Sequence, residues 1–453
     1  MPVTRRTFVQ SAAASAASPA LSAFPSLAQT TGIAPEDRVF ICNEDSNTLA
    51  VIDPRTNTIE TTVNLTSFDE DPRPPFRLVT GGVVPPHAAM IHKPLYHGAI
   101  DIHGAAPSPD SRLIATTGRG SSNVYLIDTA TKRVIGNTRN PVATPTTNGE
   151  RITDGILVGR EPHEPTFTRN GLELWVTIRG ESRIAVVDVA AAVAALKEGR
   201  PVTPRFSVST IEGPAQAWFS ADGSRAFVIS QKVPLVDVFA LDPGADGFSR
   251  PRRLTTLDIR GQDPFGFTPF QKTTADGQEV WMSHKLADRV SAVESTGAHR
   301  TIDVVLLGEL ARPNHIEFIE NAHGRAAYVS LARVDDGGPG GVASSRIAVI
   351  DCSAPPGSRK VVGTFFTHGR EAHGLWTNPE ATVLYVAHEQ DELPNTPAAG
   401  QTVCTAFDVT DLFAPRFIAQ IPLGELKLPS GALRNKKSIN LVYVRPGARS
   451  QTA

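Results

Sequence analysis

Phe40-Ile41-Cys42-Asn43, Ser46-Asn47-Thr48-Leu49-Ala50-Val51-Ile52-Asp53 and Thr56-Asn57-Thr58-Ile59 follow one another near the start of the chain. The stretch reads as a strand ending in Asn, a short turn, a strand ending in Ile-Asp, and a turn into a third strand. Related strand ends recur at Val124-Tyr125-Leu126-Ile127-Asp128, Ile184-Ala185-Val186-Val187-Asp188, Val238-Phe239-Ala240-Leu241-Asp242, Val290-Ser291-Ala292-Val293-Glu294, Ile347-Ala348-Val349-Ile350-Asp351 and Cys404-Thr405-Ala406-Phe407-Asp408. Their terminal acidic residues are spaced by 75, 60, 54, 52, 57 and 57 residues. Self-similarity at such a period marks a repeat architecture, and the count is seven.

Each repeat can be read as four strands, a to d. Ser108-Pro109-Asp110, Arg169-Asn170-Gly171, Ala221-Asp222-Gly223 and Ala275-Asp276-Gly277 supply tight a–b turns. Strand b follows as Leu174-Trp175-Val176-Thr177, Ala226-Phe227-Val228-Ile229 or Leu384-Tyr385-Val386-Ala387. No amphipathic helix separates the strands, which excludes an α/β fold; Ala190 to Lys197 is the one helical turn expected, in a blade connection. Nothing like an inner strand precedes Arg38, whereas Ile439-Asn440-Leu441-Val442-Tyr443-Val444 at the other end can supply one. These features predict an all-β, seven-bladed β-propeller whose first blade is closed by N- and C-terminal strands together, a closure that removes exposed sheet edges.

The chain has 453 residues, 40% of them hydrophobic but only 6% aromatic, with 36 Gly and 36 Pro, a balance that suits short strands and turns. Net charge is −2 and no charge run occurs, which argues against nucleic acid and anionic membrane surfaces as partners. Thr4-Arg5-Arg6-Thr7-Phe8-Val9-Gln10 resembles the twin-arginine export motif, followed by an Ala/Ser stretch and a small-x-small cleavage site at Ser26-Leu27-Ala28. Residues 1–28 are therefore expected to be a signal peptide read by the twin-arginine machinery, and 29–453 the propeller. No later run is long and apolar enough for a membrane span, so a periplasmic or secreted protein is expected. Cys42, Cys352 and Cys404 show no metal-type spacing; Cys42 and Cys404 fall on first and last blades, neighbours in a closed ring.

The d–a and b–c connections share one face, called the top here. His103, His163, His315 and His373 lie at the starts of inner strands, with His368 just before one. His284 and His388 end strand b of the fifth and seventh blades. His87, His92 and His97 lie in a Pro-rich insertion that also carries Met90, so ten of the twelve histidines face the top, leaving His299 and His323 below. Arg119, Arg179, Lys232 and Lys285 occupy matching b–c positions on the same rim. Inner strands around one axis bring their first residues together. Converging imidazoles suit copper or another borderline metal, with Met90 a soft ligand in a closing loop.

The repeat resembles the YVTN β-propeller family of bacterial exported proteins over nearly all of the mature chain. Similar propellers build the copper-cluster domain of nitrous oxide reductase, the haem domain of nitrite reductases and the large subunit of methylamine dehydrogenase, and also lactonases and adhesion proteins. The resemblance implies a histidine-ligated metal, copper first. His103, His163, His315 and His373 would hold it, and His284 and His388 would complete or orient the set. Glu164 and Glu371 would act as supporting or acid–base groups, the basic rim would draw an anionic substrate, and His87, Met90 and His92 would form a lid. No Cys-x-x-Cys-His haem-attachment motif and no cupredoxin-like tail accompany it. Two other functions stay open: a non-catalytic module presenting its top face to a partner protein or surface polymer, and a lactonase-like hydrolase using a divalent ion; a redox or surface partner protein is a further expectation. A repeat of this kind is a guide to fold more than to function.

Overall fold

The structure is a computed structural model that describes residues 32–65, 100–136, 155–428 and 431–450. The expected signal peptide and the insertion carrying His87, Met90, His92 and His97 lie outside the described residues.

Seven sheets of antiparallel strands form the blades of a β-propeller. The inner strands are Ser438–Val444, Ile102–Pro107, Pro162–Phe167, Pro214–Phe219, Phe270–Thr273, Pro313–Asn321 and Arg370–Thr377, for blades one to seven. In blades three to seven, and in blade two with one extra short strand at its edge, sequence order follows sheet order. The a–b turns form as their residues require. Gly171, Gly223 and Gly277 adopt φ of 71, 69 and 70°, the left-handed region that glycine enters without a Cβ penalty. Ahead of them Asn170, Asp222 and Asp276 each accept from a hydroxyl two residues earlier and a backbone N–H two residues later. The helix in the third blade spans Val189–Lys197, and the Asp188 side chain caps it by accepting from the Ala191 N–H at 3.0 Å.

The first blade draws three strands from the N-terminus and its inner strand from the C-terminus. Arg38–Asn43 pairs antiparallel with Ser438–Val444, from Arg38 opposite Val444 to Asn43 opposite Ser438. Side chains lock the closure at both ends. Tyr443 Oη donates to Asp37 Oδ2 at 2.6 Å, Arg445 Nε donates to Asp37 Oδ1 at 2.7 Å, and Thr48 Oγ1 donates to Asn435 Oδ1 at 2.7 Å. The three cysteines are buried free thiols, so no disulfide joins the first blade to the last.

Apolar strand residues fill the spaces between blades, with Trp175 edge-on to Phe219 and Trp281 edge-on to Phe318 across two of the seams. One irregularity positions the chemistry. The inner strands of blades two, three, four, six and seven each carry a register shift near the channel mouth, at Ile102/Ala105, Pro162/Pro165, Pro214/Gln216, Pro313/Ile316 and Ala372/Leu375. A β-bulge adds a residue to one strand and re-aims its side chains. All four inner-strand histidines sit in these bulges.

Candidate metal centre at the mouth of the channel

A bulge leaves a backbone N–H without its ladder partner, and strand b supplies hydroxyls in its place. Thr117 Oγ1 accepts from the Gly104 N–H at 2.9 Å and donates to the His163 carbonyl at 2.7 Å. Thr177 repeats the bridge, accepting from the Glu164 N–H at 3.0 Å and donating to the Ala215 carbonyl at 2.8 Å. Ser330 does the same between the His315 N–H and the His373 carbonyl. Each hydroxyl thus ties the bulge of one blade to the inner strand of the next, and the histidines hang from that belt.

His103 and His163 meet, with Nε2 atoms 3.1 Å apart. His163 Nδ1 donates to the Ala215 carbonyl at 2.8 Å, which leaves its Nε2 as a lone pair. Arg179 Nη1 donates to Gln231 Oε1 at 2.6 Å and turns the Gln231 amide N–H toward that same lone pair, at 3.2 Å. His103 Nδ1 faces Glu44 Oε2 at 3.6 Å, and its Nε2 lies at hydrogen-bond distance from the His163 lone pair. Glu164 completes the group: His103, His163 and Glu164 are all buried, with one ligand atom of each within 4.8 Å of the others. Asn440 Nδ2 holds the Glu164 carboxyl, at 3.2 Å from Oε2. Only glycine fits at position 104, because a Cβ there would lie 2.5 Å from the His163 carbonyl and 2.8 Å from Glu164 Oε2.

The electrostatics hold the candidate ligands His163 and Glu164 in their uncharged forms. Burial, and then the positive charge of neighbours His103, Arg179 and Arg119, hold the His163 imidazole well below its usual range, so it is neutral near pH 7. Burial pushes the Glu164 carboxyl well above the usual range, against the pull of Arg119 and Asn440. A divalent ion would supply the charge that lets it ionise. The spacing fits too. Two imidazole nitrogens each ~2.05 Å from one ion and 3.1 Å apart subtend about 100° at it, within the range of tetrahedral and octahedral sites.

His315 and His373 form a second pair, ring centroids 5.3 Å apart. Phe270 of the fifth blade separates the two pairs. Its ring lies 3.7 Å from His315 and 5.2 Å from His373, but 6.4 Å from His163. The expected ring of four histidines is thus two pairs across an aromatic side chain. His284 and His388 are fully buried, and each ring is engaged at both nitrogens. Thr268 and Ser291 hydroxyls hold His284 at 2.9 and 2.7 Å; the Val403 carbonyl and Thr367 hydroxyl hold His388 at 3.2 and 2.9 Å. Burial drives the His388 imidazole down to about 3.

Residues at the b–c corners line the mouth as one layer: Glu44, Arg119, Arg179, Gln231 and Lys285 each follow the end of strand b, and Glu389 is the penultimate residue of strand b in Val383–Gln390. Arg119 pairs with Glu44 and, at 3.0 Å, with Asp101; Arg179 pairs with Glu161 at 3.3 Å. Both arginines are buried within ion pairs rather than standing on an open rim. Lys232 lies one residue past this layer and reaches out to Glu212 at 3.5 Å. Glu371 accepts from Gln390 Nε2 at 2.8 Å. Sequence reading missed Glu44, Gln231, Phe270, Asn440 and Glu389 as site residues. Their signal was positional equivalence between blades, which needs the strand ends placed to the residue.

No protein-family model matches the chain, and no curated protein matches it in sequence. Its fold is similar to solved structures. Kuenenia stuttgartiensis hydrazine synthase matches with a TM-score of 0.51 and 14% identity, over 78% of this chain and 96% of that one. The periplasmic gluconolactonase of Pseudomonas aeruginosa matches with a TM-score of 0.55 and 12% identity, over 90% and 99%. Dihydro-haem d1 dehydrogenase NirN, solved in complex with DHE, matches with a TM-score of 0.50 and 11% identity, over 90% and 75%. At these identities the likeness establishes a seven-bladed propeller and leaves the chemistry to the residues at the channel mouth.

Proposed function

We propose that the protein is an exported propeller of the YVTN type that holds a divalent transition-metal ion between His103, His163 and Glu164. The observation that carries the reading is the meeting of two buried imidazole Nε2 atoms 3.1 Å apart beside a buried carboxyl. Two imidazoles and a carboxylate suit zinc, iron(II) and copper(II), and copper(II) heads the affinity order for such donors. Three protein ligands leave a position open, where a bound ion would polarise an oxygen-bearing substrate. The chain's own groups then have distinct tasks. Ala215 fixes the His163 tautomer, Glu44 and Arg119 orient His103, Asn440 holds Glu164, and Phe270 keeps one side of the site apolar.

The test is a thermal shift on chelator-treated protein titrated with copper(II) or zinc(II). A ligand that binds only the folded state stabilises by about 2.7 kcal/mol at a hundredfold excess over Kd. Wild type and His323→Ala, exposed on the bottom face, should show that shift. His103→Ala and His163→Ala should lose most of it, because the remaining donors cannot complete the shell. His373→Ala should keep it, since Phe270 stands between the pairs. Equal shifts in all five proteins would mean surface binding, and no shift in wild type would favour a top-face binding module instead.

A further inference from the structure

Around the mouth, Glu44, Arg119, Arg179, Gln231 and Glu389 all have polar partners. Lys285 differs. Among the described residues its ammonium makes neither a hydrogen bond nor an ion pair, although the side chain is half-buried. Lys285 follows His284 at the end of strand b in the blade that carries Phe270. His315, whose ring lies 3.7 Å from that of Phe270 and tilted 30° to it, has a buried Nε2 with no partner among the described residues. His373 turns Nε2 toward Glu389 Oε1 at 3.5 Å. His315 and His373 lie side by side, with ring centroids 5.3 Å apart. The charge of Lys285 contributes to holding both imidazoles well below their usual range, after burial and, for His315, after His373 and Lys272.

We propose that Lys285, His315 and His373 form a subsite for a small oxyanion, across Phe270 from His103 and His163. A lone cation facing a largely enclosed space is costly unless a counter-charge arrives. Glu389 and Glu371 lie near enough to favour the charged lysine but do not pair with it. The histidines are neutral, so they add hydrogen bonds rather than charge: His315 Nε2–H donates to one anion oxygen while Lys285 takes the other. Such charge-assisted bonds are short and strong in an enclosed site. The Phe270 ring forms an apolar wall along which a carbon skeleton can lie. The subsite deepens the reading of the mouth as a metal centre, because it would hold the acidic group of a substrate whose other end reaches His103 and His163. The subsite itself does not require the ion.

Calorimetric titration of chelator-treated, full-length mature protein with sodium acetate and with sodium phosphate, against sodium chloride at equal ionic strength, tests the proposal. Acetate binding alone assigns the site to carboxylates and phosphate binding alone to tetrahedral oxyanions; both outcomes support it. Lys285→Met should weaken binding at least tenfold and His315→Gln several-fold. Lys285→Arg should stay within a few-fold of wild type, and Lys232→Met, altered on the outer rim, should match it. Near-UV circular dichroism of each variant checks that it folds. Absence of binding to wild type, or equal affinity in Lys285→Met, overturns the subsite. Metal uptake measured on the same preparations reports on His103 and His163 separately, so either reading can fail alone.

Discussion

Lys272 and Glu317 form an ion pair inside the channel, below the histidines. Lys272 Nζ lies 2.7 and 2.8 Å from the two carboxylate oxygens and 4.6 Å from the centroid of the Trp376 ring. Both side chains are buried. Burial raises the Glu317 carboxyl despite the pull of Lys272, so desolvation here outweighs attraction. Removing the cation alone should therefore be expensive. Lys272→Met is expected to cost about 3–5 kcal/mol at pH 7, because it leaves a buried acid with no counter-charge. The pH dependence follows from the direction of the shift. An acid whose folded pKa lies above its unfolded one binds more protons in the folded state, so its stabilising contribution is present at low pH and fades as pH rises through the folded value. The variant should recover part of its loss between pH 7 and pH 5, read by urea unfolding at each pH. A loss independent of pH would show that packing against Trp376, and not the stranded carboxyl, sets the cost.

At the level of elements, closure rests on one strand. All seven residues of Ser438–Val444 are buried, and the strand sits between Arg38–Asn43 and the inner strands of its neighbours. Its five apolar residues represent about 1.5–3 kcal/mol each. Against a total stability of about 5–15 kcal/mol, that sum leaves no margin. Truncation before Ser438 should abolish the cooperative melting transition followed by near-UV circular dichroism and should promote aggregation through the bared edge of Arg38–Asn43. An unchanged transition would mean that the ring closes by other contacts. The hydroxyl belt of Thr117, Thr177 and Ser330 is the second element-level device. It replaces ladder bonds lost at the bulges, so the strands can turn successive side chains such as His163 and Glu164 toward one space without leaving buried N–H groups bare.

The whole molecule closes through its own two ends, so no blade ring exists until the last strand is made. We propose that Arg5 and Arg6 direct export by the twin-arginine route, which carries folded proteins. Among the described residues no helix is long and apolar enough to cross a membrane. Export should depend on both guanidinium groups, whose planar forks lysine does not reproduce. Arg5→Lys with Arg6→Lys should leave the precursor in the cytoplasm on cell fractionation. Mature protein appearing in the periplasm from that variant would remove the twin-arginine assignment.

Phe40 to Ile59 and its six echoes carried the blade count. Ile439 to Val444 carried the closure. Both were legible because alternation, turn residues and strand ends are local properties that a period repeats. The placement of His103, His163, His315 and His373 at inner-strand starts was legible for the same reason. What the linear order could not convey was which of them meet. Phe270 divides the four into pairs, from an inner strand that itself carries no histidine. Glu164 joins His103 and His163 through a bulge, whose place in the strand the linear pattern does not mark, and through the missing side chain of Gly104. Gln231 rather than Lys232 enters the mouth because the end of strand b falls one residue earlier. These choices depend on registers and on contacts between blades far apart in the chain, and such contacts exist only once the ring has closed.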